Sequence, residues 1–211
     1  MTTKERIRYE ALSLFSEKGF DAVSVREIAR SVGIKESSLY NHYKNKQDIL
    51  DSIICEYSEQ GNDFFRNIKL LDSSSIFTVD QRTVNMYKDM TGDQLETLGL
   101  QILEHYFCDE IVVKFRKMLT IEQYRSKELK KLYREISFDS SLEFQSQLFA
   151  ALMKQGLLIE TDPYVLALEF FSPIFLVFYK FDDDDNGLQQ TKKLIAKHIK
   201  HFSQTYGTNN L

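Results

Sequence analysis

The stretch from Ser24 to Lys46 constrains the fold of this chain more than any other segment. Ser24 can cap a helix, and Glu27, three residues later, can return a hydrogen bond to the cap amide. Gly33 follows at the end of that helix, where a left-handed residue allows a sharp turn. Leu39 then gives a second helix an apolar side to pack on the first. This spacing predicts a helix-turn-helix, whose second helix lies in the major groove of DNA.

Polar groups that can donate to phosphate surround this predicted frame. Asn45 can cap the next helix and leave Lys46 at its positive end, a favourable place for a phosphate. Any short pair of helices with a glycine turn could show the same spacing, so the frame alone leaves DNA binding open. The candidate DNA contacts are Ser24, Arg26, Lys35, Glu36, Ser37, Ser38, Tyr40, Asn41, His42 and Lys46.

The sequence around this frame resembles the TetR family of bacterial transcriptional regulators over about residues 4 to 50. The elements that carry the resemblance are Phe15, Gly19-Phe20, Val25 with Ile28-Ala29, Gly33-Ile34, Leu39-Tyr40 with Tyr43, and Lys46. Two positions depart from the family pattern. Lys35 stands where the family commonly has a Ser or Thr cap, and Glu36 stands where it usually has Lys or a small residue. These departures affect the expected DNA sequence preference and leave the fold in place.

Composition and charge favour an all-α protein that touches a polyanion with one end. The 211 residues include eight glycines and two prolines, fewer than a turn-rich β protein would need. Residues 1–50 hold nine basic and seven acidic side chains, whereas the rest of the chain holds 18 and 24. An acidic body argues against a nonspecific coat for nucleic acid. We therefore expect a three-helix DNA-binding head over 1–48, and a larger helical effector-binding and dimerisation body over 49–211.

Helical periodicity predicts most elements of the chain but leaves the boundaries between 62 and 110 open. A first helix over Thr3–Lys18 should end at Gly19, and a fourth should run from Asn45 to about Gly61. Residues 71–80 have the composition of a loop. A long helix or kinked pair is expected over Lys127–Gln155.

The last two predicted helices concern assembly. The helix after Asp162 is apolar nearly all round, with Pro163 in its first turn and an expected kink near Pro173. In the family that the chain resembles, the last two helices pair with their copies in a second subunit. The alternative is that they only complete the core of one chain. The candidate interface residues are Phe175, Phe178, Ile195, Ile199, Phe202 and Tyr206.

The body is rich in aromatic residues, with 22 of the 27 Phe and Tyr residues lying after residue 50. Most of them must form the core, but the resemblance implies a small-molecule pocket among these helices, oriented by a few polar groups. The candidate effector contacts are Phe64, Phe65, Met86, Tyr87, Met90, His105, Tyr106, Phe115, Arg116, Met118, Gln123, Tyr124, Phe144, Glu169 and Phe171.

Other site classes find little support in the sequence. The longest uncharged apolar run, Phe170–Tyr179, has ten residues where a membrane span needs about 20, and no signal peptide is evident, so a cytoplasmic location is expected. Cys55 and Cys108 lack metal-ligand spacing and are expected to be unpaired thiols. Asp182–Asp185 lacks the turn glycine of a calcium loop. We predict no metal, cofactor or catalytic site.

The leading hypothesis is a homodimeric repressor that binds a palindromic operator and is released by a small, largely apolar effector. Two alternatives stay open at this point. One is a regulator controlled by a protein partner, and the other is a helical enzyme or a module that binds lipids or small molecules without a DNA role.

Overall fold

The described chain is all-helical. The computed structural model describes residues 1–70, 79–181 and 186–208, and in these ranges it has eleven α-helices and one isolated β-bridge, between Leu158 and Gly207. Residues 71–78 of the loop predicted over 71–80 lie outside the described residues, and so does the acidic run Asp182–Asp185. The helices are α1 Thr3–Lys18, α2 Val25–Val32, α3 Glu36–Leu39, α4 Lys46–Asn67, α5 Gln81–Lys88, α6 Gly92–Cys108, α7 Glu110–Glu122, α8 Lys127–Arg134, α9 Ser140–Lys154, α10 Pro163–Phe181 and α11 Gly187–Tyr206.

The chain divides into two compact units. The first unit consists of residues Met1–Phe65 and Asp109–Arg134, and the second consists of Arg66–Cys108 and Glu135–Leu211. The structure thus groups α7 and α8 with the helix-turn-helix. The functional boundary at 48 and 49 stays a prediction.

The core of the first unit forms where α1 packs on α2 and α7. Helix α1 begins at Thr3 and ends at Gly19 as predicted, and it buries Ile7, Ala11, Leu12 and Phe15. Leu14, on the same helix, is only partly buried. These contacts hold the helix-turn-helix on a rigid support.

The core of the second unit is built from α6, α9, α10 and α11. The stripe along α11 faces inward, because Ile195 and Ile199 pack with Leu103 and Val177 and are at most 5% exposed. Phe202 is 7% exposed and stacks on Phe149, with ring centroids 5.4 Å apart.

This packing bears on the interface predicted for α11, which stays a prediction. Ile195, Ile199 and Phe202 have almost no surface left to bury against a second copy, since a single chain already covers them. Phe178 is stacked on Phe107, 4.8 Å away, and Tyr206 packs on the same core as Phe202. Ile195, Ile199 and Phe202 are therefore core residues of a single chain.

Two further elements refine the predicted helices. The pair expected over Lys127–Gln155 is α8 and α9, joined by a π-helical turn at Glu135–Asp139. Helix α10 runs unbroken through Pro173. Among the described residues, α10 alone has the length and mean hydropathy of a membrane span, and 22% of its apolar window is buried. Cys55 and Cys108 are exposed free thiols.

Candidate nucleic-acid interface

Local hydrogen bonds fix α2 and the turn after it as the sequence predicts. The Ser24 hydroxyl accepts a hydrogen bond from the Glu27 amide at 3.2 Å, and the Ser24 amide donates to the Glu27 carboxylate at 2.9 Å. This amide bond is the main reason that the pKa of Glu27 lies below its usual value. Gly33 ends the helix in a left-handed conformation, with φ of 76°. The capping box and the turn are both confirmed.

Helix α3 is short and is followed by hydrogen-bonded turns. The backbone amides of His42 and Tyr43 both donate to the Leu39 carbonyl, at 2.9 and 3.1 Å. Leu39 and Tyr43 are buried, and the Tyr43 hydroxyl lies 3.1 Å from that of Ser52 on α4. This anchorage leaves the side chains of Tyr40 and its two successors facing solvent.

Most predicted DNA contacts lie on the surface of the first unit. Ser38 and Lys46 are partly buried. The exposed members of the set are Ser24, Arg26, Lys35, Glu36, Ser37, Tyr40, Asn41 and His42. They surround the start of α2 and the whole of α3, which is the arrangement that a helix-turn-helix needs to reach phosphates and base edges.

Lys46 lies at the start of α4 as predicted, but its ammonium contacts backbone carbonyls of the same chain. Asn45 does cap α4, since its side-chain oxygen accepts from the Asp48 amide at 2.9 Å. The Lys46 ammonium, however, donates to the carbonyls of Phe20 at 2.7 Å and Val23 at 2.8 Å, with a third at 3.5 Å. An ammonium has three N–H donors, so none is left for phosphate in this conformation. Lys46 instead ties α4 to the turn between α1 and α2.

Glu122 at the end of α7 holds the same turn from another side. Its carboxylate is 2% exposed and accepts from the Phe20 amide at 2.8 Å, with Arg125 3.4 Å away. A Cβ atom on Gly19 would overlap the guanidinium of Arg125, and Gly19 has φ of 84°. The positive φ favours glycine at this turn, and the flexible Arg125 side chain would have to move for any larger residue.

Sequence reasoning missed Glu122, although a signal was present. Glu122 continues the inward stripe of α7, which contains Val112, Phe115 and Leu119 at helical spacing. A carboxylate at such a position needs a buried donor. The donor is the Phe20 amide, 102 residues away in the sequence, and no local pattern could have identified it.

Residues 7–53, which contain this capped helix-turn-helix, match the family described as bacterial regulatory proteins, tetR family. This amino-terminal segment belongs to the TetR family.

Relatives and solved structures of TetR type agree with this assignment. IcaR of Staphylococcus aureus strain Newman, the negative transcriptional regulator of the biofilm operon icaADBC, is 30% identical over 112 residues. The matched stretch covers 46% of this chain and 58% of IcaR, so less than two thirds of that relative's length is spanned.

Two solved structures share the fold over nearly the whole chain. A TetR-family regulator from Marinobacter aquaeolei VT8 has a TM-score of 0.65 at 20% identity, covering 99% of this chain and 93% of the other. SmeT, the repressor of the Stenotrophomonas maltophilia multidrug efflux pump SmeDEF, has a TM-score of 0.63 at 18% identity, covering 99% of this chain and 92% of SmeT. A structure of the SmeT complex with triclosan has also been solved. At these identities the likeness shows the TetR fold alone.

The predicted effector contacts are divided between the two units. Phe115 and Met118 are fully buried in the core of the first unit, while Tyr124 is 84% exposed. The members in the first unit are Phe64, Phe65, Phe115, Arg116, Met118, Gln123 and Tyr124, and those in the second are Met86, Tyr87, Met90, His105, Tyr106, Phe144, Glu169 and Phe171.

Several of the predicted effector contacts in the second unit pack within that unit. Tyr87, Phe144 and Phe171 lie against the core formed by α9 and α10. Burial raises the pKa of Tyr87, and it raises that of Tyr106 to about 12. The Glu169 carboxylate accepts a hydrogen bond from the Tyr206 hydroxyl. These residues are therefore occupied by contacts within the unit.

Met86 and Met90 line an open groove of about 470 Å³ in the second unit. Apolar side chains provide much of its wall, and Asp89 is its one carboxylate. A groove of this size suits a small molecule. The lining residues are Ile68, Met86, Asp89, Met90, Gln94, Thr97, Leu98 and Gln101.

One side of α10 exposes large apolar side chains in helical register. Val165 is 48% exposed, Leu168 38%, Leu176 63% and Tyr179 41%. Their spacings of 3, 8 and 3 residues keep them on one side of the helix, with the exposed Ser172 between Leu168 and Leu176. We call Val165, Leu168, Leu176 and Tyr179 the α10 face.

Proposed function

We propose that this chain is a DNA-binding transcriptional repressor that acts in the cytoplasm and binds a palindromic operator as a homodimer. The observation that carries the proposal is the capped helix-turn-helix in residues 7–53, with exposed polar side chains around α2 and α3. That IcaR is described as a negative transcriptional regulator supports repression. Two copies related by a two-fold axis would present two such motifs to successive major grooves.

The α10 face supplies the surface for the proposed dimer. A monomeric protein rarely exposes a contiguous stripe of large apolar side chains, because water penalises it. Leu176 is the most exposed of the four, at 63%, and therefore has the most apolar surface to bury in such a contact. If two copies pair along α10, the α10 face of each copy covers that of the other, as an isologous interface requires.

The groove beside Met86 and Met90 is the proposed effector site. Its two methionines suit an apolar ligand of irregular shape, because methionine side chains adapt to what they pack against. Asp89 would favour a neutral or cationic group over an anion. An effector bound there would favour a spacing of the two recognition helices that no longer fits successive grooves. SmeT, solved with triclosan, shows that a chain of this fold binds a small aromatic molecule.

Operator selection followed by footprinting tests the proposal. We expect full-length protein to enrich a palindromic site from random duplexes and to protect two half-sites. Asn41→Ala and Lys35→Gln, which truncate exposed groups at α3, should each weaken binding to the selected duplex by about tenfold or more. Lys154→Gln removes an exposed charge from α9 and serves as the control. Absence of any enriched sequence would refute DNA recognition.

A further inference from the structure

Helix α8 in the first unit concentrates positive charge on one side. Positions i, i+3, i+4 and i+7 of a helix share one face, and α8 places exposed cations at all four. These cations are Lys127, Lys130, Lys131 and Arg134. Leu129 and Tyr133 are buried on the opposite side. We call the four cations the α8 stripe.

The α8 stripe lacks a matching set of carboxylates on its own helix. Glu128 is the one acidic residue of α8, and it accepts a hydrogen bond from the Ser126 hydroxyl at 3.1 Å. Lys127 with Lys131, and Lys130 with Arg134, are like charges at i,i+4 spacing, which destabilises an isolated helix. An anionic partner would relieve that repulsion.

The α8 stripe begins beside the helix-turn-helix. Arg125 lies two residues before α8, and its guanidinium lies against Gly19. Phe20, which follows Gly19, accepts a hydrogen bond at its carbonyl from the ammonium of Lys46, the first residue of α4. Two residues of chain span at most about 7 Å, so the backbone of Lys127 lies within that distance of the backbone of Arg125. The stripe therefore begins next to a residue whose side chain reaches this turn, in the same unit as the candidate DNA contacts.

The dimensions of the α8 stripe fit a nucleic-acid backbone. Its seven-residue span is about 10 Å long, and one strand of duplex DNA presents about three phosphates over that length. Tyr124, 84% exposed just before the stripe, adds a hydroxyl that can donate to phosphate.

We propose that the α8 stripe binds the phosphate backbone of the DNA that flanks each operator half-site. The inference rests on the proposed function, because it requires the helix-turn-helix to bring duplex DNA to this surface. The stripe adds affinity without reading sequence, since phosphate contacts carry no base information. The protein would then prefer operators embedded in longer duplex over operators trimmed to their core.

Two triple variants and two duplexes test the inference. The first variant carries Lys127→Gln, Lys130→Gln and Lys131→Gln. The control carries Lys193→Gln, Lys197→Gln and Lys200→Gln, which removes three exposed lysines from α11. Both full-length proteins are titrated with the selected operator, either trimmed to its protected core or extended by about 10 base pairs on each side, one turn of the duplex.

The α8 variant should bind the extended duplex roughly tenfold more weakly than wild type, and the slope of log affinity against log salt should fall by about 2 to 3. It should bind the trimmed duplex as wild type does, and the α11 variant should match wild type on both. Equal affinity of the two variants for the extended duplex would overturn the inference and leave the stripe to another partner, such as an acidic protein. An equal loss on both duplexes would overturn the assignment to flanking DNA. Failure of wild type to bind either duplex would instead refute the proposed function.

Discussion

The turn between α1 and α2 and the core around α11 are held together by different kinds of contact. At the turn, the amide and carbonyl of Phe20 are bound by Glu122 and Lys46 over distances of 2.8 and 2.7 Å. Around α11, aromatic rings pack on one another, as Phe170 and Phe202 do at 4.8 Å between centroids. Hydrogen bonds demand one geometry, whereas apolar packing tolerates rearrangement that conserves volume.

This difference matches what the two units of the proposed regulator must do. A surface that reads DNA has to keep its side chains in a fixed arrangement, and long-range hydrogen bonds at Phe20 provide this. A unit that responds to an effector needs a second arrangement of similar free energy. Helices packed by apolar side chains can shift by small sliding movements, which suits such a response.

The largest expected effect comes from comparing a buried position of α11 with an exposed position of α10. Ile199→Glu places a carboxylate at a position that is 5% exposed, and burying an unpaired charge there should cost more than about 4 kcal/mol of the free energy of unfolding. Leu176→Glu, at 63% exposure on the α10 face, should leave the fold intact and produce monomers. Urea unfolding followed by circular dichroism, with sedimentation velocity, measures both results.

A folded, monomeric Ile199→Glu protein would contradict the inward orientation of the α11 stripe. A Leu176→Glu protein that remains dimeric at micromolar concentration would remove the α10 face from the proposed interface. Lys193→Glu, an exposed position on α11, controls for the added charge.

The polar clamp on the α1–α2 turn should give a smaller but clear effect. Glu122→Ala removes the acceptor of the Phe20 amide. Lys46→Met removes the ammonium donor from the Phe20 and Val23 carbonyls, and the Phe20 carbonyl keeps only the Val23 amide at 3.3 Å. Each change should lower the free energy of unfolding by about 1–3 kcal/mol, because a buried polar group loses its partner. Glu17→Ala and Lys44→Met, at exposed positions, are the matched controls and should stay within about 0.5 kcal/mol of wild type.

The Lys46 variant also distinguishes two roles for this residue. If Lys46 ties the turn, Lys46→Met loses stability in the absence of DNA. If its ammonium instead binds phosphate, the variant keeps its stability and loses only affinity and salt dependence. Unchanged urea unfolding of Lys46→Met would therefore restore the role that the sequence predicted.

The same contrast explains which features were predictable from the sequence. The caps at Ser24 and Asn45 and the left-handed Gly33 depend on neighbours within four residues, so the local pattern is sufficient. The contact from Glu122 to Phe20 depends on how α7 packs on α1, and the inward face of α11 depends on which neighbours cover it. Periodicity shows that a helix has an apolar side, but it does not show whether the same chain or a second copy covers that side.

The smallest expected effect concerns the α2 capping box, which is local and polar. Ser24→Ala should lower the free energy of unfolding by about 1 kcal/mol, the usual cost of losing such a cap. Glu27→Gln probes the other half of the box, because the amide oxygen can still accept from the Ser24 backbone but carries no charge. The Ser24 backbone bond holds the pKa of Glu27 below its ordinary value of 4.5. The ionised carboxylate is therefore favoured in the folded state.

A lowered folded-state pKa stabilises the protein fully above pH 4.5, and this stabilisation is lost as the pH falls through 4.5 towards the lowered value. Wild type should therefore be more stable than Glu27→Gln at pH 7, and the gap should close between about pH 5 and 3. Urea titrations at a series of pH values measure the gap, and Glu17→Gln, at an exposed position of α1, controls for the loss of one negative charge. A gap that stays constant down to pH 3 would show that the charge of Glu27 adds nothing to the box. The capping box would then stabilise α2 through its hydrogen bonds alone.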